Sequence, residues 1–96
     1  MQAEWVVPTD HPAFAGHFPG RPILPGVVML DWVLLLARQT YGRPGWDIVQ
    51  AKFLRTVDPG AALRLRLMPT PAGALGFEVR CGDALVASGT IREALP

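Results

Sequence analysis

A histidine and an aspartate are the residues of this sequence best suited to acid–base chemistry. His17 lies in a stretch rich in proline and glycine, and Asp31 is the one polar residue in an otherwise apolar run from Val27 to Ala37. A carboxyl group in apolar surroundings loses hydration, which favours its protonated form. A neutral imidazole can accept a proton at the same pH. The pair therefore suits a reaction that removes one proton and delivers another.

Gly26 lies between these two residues, at the predicted start of a helix. The first amides of a helix have no acceptor within it and lie at the positive end of its dipole. Glycine also lets a ligand approach the backbone closely. A carbonyl oxygen held there would be polarised. His17, Gly26 and Asp31 together favour removal of a proton next to a carbonyl and loss of a β-hydroxyl group, which is a dehydration.

Each residue also has a purely structural interpretation. His17 could serve only as a hydrogen-bonding residue of its loop. Asp31 could face a solvated gap, or it could form a buried ion pair with Arg38 or Arg55. The apolar run could belong to the core without binding a ligand. The residue types alone leave these alternatives open.

Hydrophobic periodicity predicts one small α+β domain over residues 1–96. A short strand over 4–7, closed by Pro8, precedes a long loop up to Gly26 that contains four of the chain's ten prolines. A helix is expected from Gly26 to about Thr40, ended by Gly42. Its apolar residues cover nearly the whole circumference, which predicts a helix surrounded by other structure.

Four strands with alternating apolar and polar residues are predicted after the helix, over 47–57, 61–68, 75–81 and 85–92. Hairpin-like turns join them, so we expect a meander of sequential antiparallel strands. A protein with one helix and one sheet must curve the sheet around the helix to bury it. The unpaired edge strand would favour pairing between two copies.

Composition argues against several classes of protein. Nine basic and eight acidic residues leave a net charge of +1, which does not suit nucleic acid as the main ligand. Cys81 is the only cysteine, so an intramolecular disulfide is excluded; we expect it in the core and predict no metal site. The apolar run is shorter than the roughly 20 residues of a membrane span, and no secretory signal is recognisable. We therefore expect a cytoplasmic protein.

The segment GHFPGRPILPGVVMLDWV, residues 16–33, resembles the active site of the 3-hydroxyacyl-[acyl carrier protein] dehydratases of the FabZ and FabA type. The family pattern is GHFPG-x-P-x-x-PG, followed four or five residues later by Glu or Asp, which here is Asp31. The segment AKFLRTVDPGAAL, residues 51–63, is similar to the strand and turn that follow the helix in the family. The short chain and its Leu-Asp-Trp sequence resemble the aryl-polyene-type branch.

The resemblance implies a hot-dog fold, in which a curved antiparallel sheet of about five strands wraps one long apolar helix. It implies removal of water from carrier-bound 3-hydroxyacyl thioesters to give trans-2-enoyl thioesters, in fatty acid or polyene biosynthesis. His17 would take the C2 proton, Asp31 would protonate the departing C3 hydroxyl, and the Gly26 amide would hold the thioester carbonyl. No cofactor is implied; the phosphopantetheine arm of an acyl carrier protein would carry the substrate.

In the family, the histidine and the acid of one site come from different subunits of a dimer. The partner of this chain could be a second copy or another hot-dog chain. Arg21 and Arg55 are candidates for contact with the carrier protein. The acyl chain is expected beside the helix, in contact with Phe18, Pro19, Val27, Leu30, Trp32 and Phe53. An acyl thioesterase, with Asp31 activating water, and a non-catalytic hot-dog partner subunit remain alternative functions.

Overall fold

One α-helix packs against one antiparallel sheet in this protein. The computed structural model describes residues 1–10, 23–43 and 45–94. Their elements are β1 (Gln2–Val6), α1 (Gly26–Tyr41), β2 (Trp46–Phe53), β3 (Ala62–Pro69), β4 (Leu75–Cys81) and β5 (Ala84–Glu93). The five strands form a single sheet, which confirms the predicted α+β class. No helix within the described ranges has the length and apolar character needed to cross a membrane.

The order of the strands in the sheet is β1-β3-β4-β5-β2. β3, β4 and β5 form the predicted meander, but β2 pairs with β5 at the far edge. The prediction that β2 neighbours β3 is therefore wrong. β2 also ends at Phe53, four residues before the predicted end, which leaves a connection of eight residues (54–61) before β3. That connection can extend to about 27 Å, whereas crossing three strand spacings needs only about 14 Å.

The inward face of the sheet supplies most of the core. Leu63, Leu65 and Leu67 of β3 are at most 2% exposed, while Arg64 and Arg66 between them face solvent, as the alternation predicts. This face packs against α1 and excludes water from the space between them. The remaining buried side chains of the sheet are Leu75, Phe77, Val79, Val86, Ala87 and Ile91.

The turn between β4 and β5 is the predicted two-residue hairpin turn, Gly82–Asp83. Cys81 ends β4 just before it and lies opposite Leu63 in the sheet. Its side chain packs against the core, where the sequence predicts it, but it is half-buried because it lies at a strand end next to an exposed turn.

The bounds of α1 agree with the predicted helix. The chain is extended at Pro25, with φ −62° and ψ 143°, and turns into the helix at Gly26. At the other end the N–H of Gly42 donates to the carbonyl oxygen of Arg38 over 3.0 Å, which closes the last turn. The helix is therefore fixed at both ends by backbone conformation, without a capping side chain.

Within the described residues, α1 is fully buried along only one stripe. Met29, Val33 and Ala37, spaced four residues apart, form its buried stripe. Val27 and Leu35 lie on the opposite stripe, since a step of two residues rotates the side chain by about 200°. They are 63% and 45% exposed. In the described part of the chain, α1 is therefore fully buried along one stripe, half-buried beside it and exposed on the opposite stripe, so the predicted cover on all sides is incomplete there.

Candidate active site

Asp31 lies at the centre of the exposed face of α1, one helical turn from Val27 and one from Leu35. Its side chain is exposed, so the described part of the chain does not provide the apolar surroundings that the sequence predicts for it. The ion pair with Arg38 or Arg55 is also absent from the described part of the chain. Asp31 is therefore a carboxylate on an open apolar face, and any desolvation must come from something that covers this face.

An apolar groove with a volume of about 500 Å³ opens on one side of Asp31. We call it the tryptophan groove, because the centroids of the Trp5 and Trp32 rings lie 5.4 Å apart in it, with the planes inclined at 53°. Aromatic rings attract one another at this distance. Trp32, predicted to contact substrate, thus lines the same groove as the predicted acid. The groove is lined by Trp5, Val28, Asp31, Trp32 and Leu35.

A second groove, of about 280 Å³, opens on the other side of Asp31. We call it the arginine groove, since Arg38 lies at its far end. The indole Nε1 of Trp46 donates a hydrogen bond of 3.0 Å to the carbonyl oxygen of Arg43, which fixes that ring at the start of β2. Asp31 therefore borders an apolar groove and a more polar one. The arginine groove is lined by Asp31, Leu34, Arg38, Gly45 and Trp46.

Gly26 and Phe53, both predicted to lie at the substrate, are in contact. The ring of Phe53, at the end of β2, lies so close to Gly26 that a Cβ there would be 2.8 Å from Cζ of the ring. Within the described part of the chain, the amide of Gly26 has no backbone acceptor. Such a free amide at a helix start can polarise a carbonyl group.

Gly26 and Asp31 do not face the same side of α1. Five residues advance the helix by about 7.5 Å and rotate it by about 140°. Gly26 contacts the edge strand through Phe53, whereas Asp31 points away from the sheet. One chain thus holds two of the three predicted catalytic groups on different surfaces of one helix.

The other predicted site residues are more scattered. Val27 is exposed on the open face of α1, and Leu30 is half-buried and packs against the core. Arg55 is exposed in the connection after β2. Within the described ranges, no three His, Cys, Asp or Glu side chains are grouped as metal ligands. His17, Phe18, Pro19 and Arg21 lie outside the described residues.

Several groove residues were missed by the sequence analysis. Val28 and Leu35 lie three residues before and four residues after Asp31, so helical spacing would have found them. Trp5 and Trp46 belong to strands far from Asp31 in the sequence, and no local pattern connects them with it. The sequence suggests Arg38, two turns from Asp31, only as an ion-pair partner of Asp31 and not as a residue that lines a groove.

Comparison with known proteins decides the family. A family model described as ApeI-like, ApeI dehydratase, matches residues 1–90. This chain belongs to the ApeI-like dehydratase family. The predicted resemblance to 3-hydroxyacyl-[acyl carrier protein] dehydratases is thereby confirmed.

Curated relatives of this ApeI-like chain are named 3-hydroxyacyl-[acyl-carrier-protein] dehydratase FabZ. The protein of Alkalilimnicola ehrlichii is 34% identical over 102 residues, covering 90% of this chain and 66% of that protein. The protein of Haemophilus influenzae is 33% identical over 81 residues, covering 69% and 55%. The ApeI-like chain thus spans between about half and two thirds of the length of these relatives.

A solved structure confirms the hot-dog fold of this ApeI-like chain. The dehydratase heterocomplex ApeI:P from Xenorhabdus doucetiae contains a chain that superposes with a TM-score of 0.81 at 30% identity. The match covers 98% of the ApeI-like chain and 86% of the Xenorhabdus chain. The helix and the five strands described above therefore form a dehydratase-type scaffold.

Proposed function

We propose that this chain dehydrates carrier-bound 3-hydroxyacyl thioesters to trans-2-enoyl thioesters, in fatty acid or specialised polyene biosynthesis. The observation that carries the proposal is the place of Asp31. In a chain of a dehydratase family, this carboxylate lies in the middle of an apolar helix face, between two grooves that open beside it. A carboxylate exposed on such a face has no structural partner in the described part of the chain, which supports a role towards a ligand.

In the proposed reaction, His17 takes a proton from C2 of the acyl chain. The electron pair of that C–H bond forms the C2–C3 double bond, and the C3–O bond breaks. Asp31 protonates the departing hydroxyl, which leaves as water. The amide of Gly26 donates to the thioester carbonyl oxygen, where negative charge develops, and the helix dipole adds to its effect. Protonated His17 and deprotonated Asp31 then return to their starting states by exchange with solvent.

A second subunit is part of this proposal. Gly26 and Asp31 project from different sides of α1, so a substrate held at Gly26 of one chain would meet Asp31 of another. The resemblance to the dehydratases implies the same arrangement, with His17 and Asp31 of one site on different chains. A subunit packed on the open face of α1 would also remove water from Asp31, which favours the protonated form that the reaction needs.

The edge of the sheet supports the position of this partner. β2 forms one edge and exposes Ile48 to 40%, Val49 to 55% and Phe53 to 48%. β1 forms the other edge and exposes the polar residues Gln2 and Glu4 and one large apolar residue, Val6, to 63%. An apolar edge strand next to an uncovered apolar helix face favours pairing with another chain. The partner is a second hot-dog chain, either another copy or a different one, as in the heterocomplex of the Xenorhabdus ApeI:P structure.

The substrate would arrive on the phosphopantetheine arm of an acyl carrier protein. The proposal includes no cofactor, because the base, the acid and the amide donor are all supplied by the protein. Arg55, which is exposed just after the apolar edge strand, and Arg21 are the candidates for contact with the carrier. Guanidinium groups there would attract an acidic partner and increase the rate of association.

The test is an assay of the purified protein with a 3-hydroxyacyl carrier protein, in which mass spectrometry measures the enoyl product. We expect His17→Gln and Asp31→Asn each to lower turnover by roughly 10²-fold or more, the usual contribution of a general base or acid. His11→Gln is the matched control, since His11 is the other histidine of the chain and lies outside the dehydratase motif. Because Asp31 is exposed, Asp31→Asn should leave the fold of the chain intact.

Three outcomes would contradict the proposal. His17→Gln could turn over as fast as the unaltered protein. Free thiol could be released in place of enoyl product, which would indicate the thioesterase. The isolated chain, and the chain with its co-purified partner, could both lack activity, which would indicate a non-catalytic subunit.

A further inference from the structure

Arg38 shares a groove with the proposed acid. The two residues are seven positions apart on α1, which is nearly two full turns, so both lie on the same side of the helix with about 10 Å between their backbones. Both line the arginine groove, with Leu34 between them and Trp46 on the opposite wall. A molecule that extends from Asp31 along this groove therefore meets a guanidinium group two turns away.

Among the described arginines, Arg43 and Arg80 have partners of opposite charge, whereas Arg38 lacks one, as do Arg55, Arg64, Arg66 and Arg92; only Arg38 of these lines the groove that begins at Asp31. Arg43 pairs with Glu93 over 3.0 Å, and Arg80 pairs with a neighbouring glutamate over 3.4 Å. Arg38 forms no ion pair within residues 1–10, 23–43 and 45–94. A cation in the last turn of a helix is favourable towards the helix dipole. The helix dipole accounts for a cation at this end of α1, but it does not require the guanidinium to line a groove that begins at Asp31.

We propose that the arginine groove holds the far end of the acyl chain, and that Arg38 selects chains ending in an oxygen acceptor. The inference rests on the proposed dehydratase function and names a substrate class for it. A guanidinium presents five N–H donors and no acceptor. If a partner subunit covers the groove, a methyl end would leave these donors without hydrogen bonds, which is unfavourable. A hydroxyl or carboxylate oxygen would satisfy them, and the flat indole of Trp46 would line the chain leading to it.

The length of the arginine groove sets the length of the acyl chain that fits it. A fully extended chain advances by about 1.2 Å per bond, so the ~10 Å between Asp31 and Arg38 corresponds to about eight bonds. Counted from the C3 carbon at Asp31, this spacing fits acyl chains of about eight to twelve carbons, given the reach of the arginine side chain. The tryptophan groove is the competing route; its described lining residues include no guanidinium group, and the indoles of Trp5 and Trp32 have one N–H each.

The test compares carrier-bound 3-hydroxyacyl substrates of equal length, in that range, with a methyl, a hydroxyl or a carboxylate at the far end. The kcat/KM of each is measured for the unaltered protein, for Arg38→Met and for Arg64→Met. Arg64 is the matched control, because it is exposed on the outward face of β3. We expect Arg38→Met to lower kcat/KM for the oxygen-ended chains by roughly tenfold or more, mainly through KM. The methyl-ended chain should be turned over at least as well as before, and Arg64→Met should change no ratio.

Two results would overturn the inference while the dehydratase proposal stands. The preference for an oxygen end could be the same in Arg38→Met and in the unaltered protein, or Arg38→Met could lower kcat/KM equally for all three ends. A loss for the carboxylate alone would support an ion pair, and a loss for both oxygen ends would support hydrogen bonding; either upholds the selection. If no substrate is dehydrated, calorimetry measures the binding of the same three thioesters to the unaltered protein and to Arg38→Met. The inference is overturned if both proteins bind all three thioesters with equal affinity.

Discussion

The ring of Phe53 lies against the backbone of Gly26, at a distance that leaves no room for a side chain at position 26. Phe53 ends the edge strand β2 and Gly26 begins α1, so this contact joins the Gly26 amide at the helix start to the edge of the sheet. The proposed binding site for the thioester carbonyl is therefore positioned by an aromatic ring, and by a glycine that allows the ring to approach.

Gly26→Ala should destabilise the protein. A glycine-to-alanine change at a compatible position usually raises the free energy of unfolding by about 0.4–1 kcal/mol. Here the new Cβ would lie 2.8–3.0 Å from three atoms of the Phe53 ring, so the ring must shift. Because the ring is half exposed and can rotate away, we expect a net decrease in the free energy of unfolding of about 1 kcal/mol. Urea unfolding followed by circular dichroism measures the free energy of unfolding. Turnover should also fall, because the helix start moves.

Two further variants identify the cause of that effect. Gly76→Ala is the control, because its Cβ would meet nothing closer than 3.6 Å. In the double variant Gly26→Ala/Phe53→Ala the overlap is absent, so the two changes should be non-additive by at least about 0.5 kcal/mol. Additive effects, or a Gly26→Ala protein as stable as the unaltered one, would show that the contact does not constrain position 26.

Gly89→Ala should be more damaging than Gly26→Ala. Gly89 lies on β5 between β2 and β4, where a Cβ would overlap the carbonyl oxygen of Gln50 and lie 2.7 Å from two ring atoms of Phe77. Phe53 is half exposed and can rotate away, but a backbone oxygen in a paired strand and a buried ring cannot. We expect the free energy of unfolding to fall by about 3 kcal/mol. The amides of β2 should exchange their hydrogens early. A melting temperature unchanged by Gly89→Ala would contradict this packing.

Val49→Lys should separate the proposed dimer, whereas Val6→Lys should not. The two valines have similar exposure, 55% and 63%, but lie on opposite edge strands of the sheet. A lysine on a strand edge opposes pairing with another chain. We expect Val49→Lys to sediment as a single chain and to lose dehydratase activity, with Val6→Lys unchanged in both. Loss of assembly in Val6→Lys alone would place the partner on β1 instead.

Local patterns predicted the elements of this fold well. The alternation of Leu63, Leu65 and Leu67 with arginines identified the inward face of β3, because a strand with one buried side must alternate. Gly26 and Gly42 marked the ends of α1. The dehydratase motif was equally local, since its residues and their spacing are contiguous in the chain and need no knowledge of the fold.

Pairing between distant segments was not predictable in this way. β2 pairs with β5. The sequence between Phe53 and Ala62 instead predicts the end of a strand followed by a tight turn. Turn residues show that a chain changes direction, but they do not show which strand it then meets. The length of the irregular connection decides which strand β2 meets. That length depends on the residue at which β2 ends.

By itself, the sequence determined that Asp31 is a carboxylate in an apolar helix that starts at Gly26, and that it belongs with His17 in a dehydratase motif. Only the tertiary structure decided that Asp31 is on the open side of α1, between grooves to which Trp5 and Trp46 contribute. The physical reason is that a helix apolar on nearly all sides can pack against a sheet through any of its faces. The curvature and strand order of the sheet choose the face, and both depend on the whole chain.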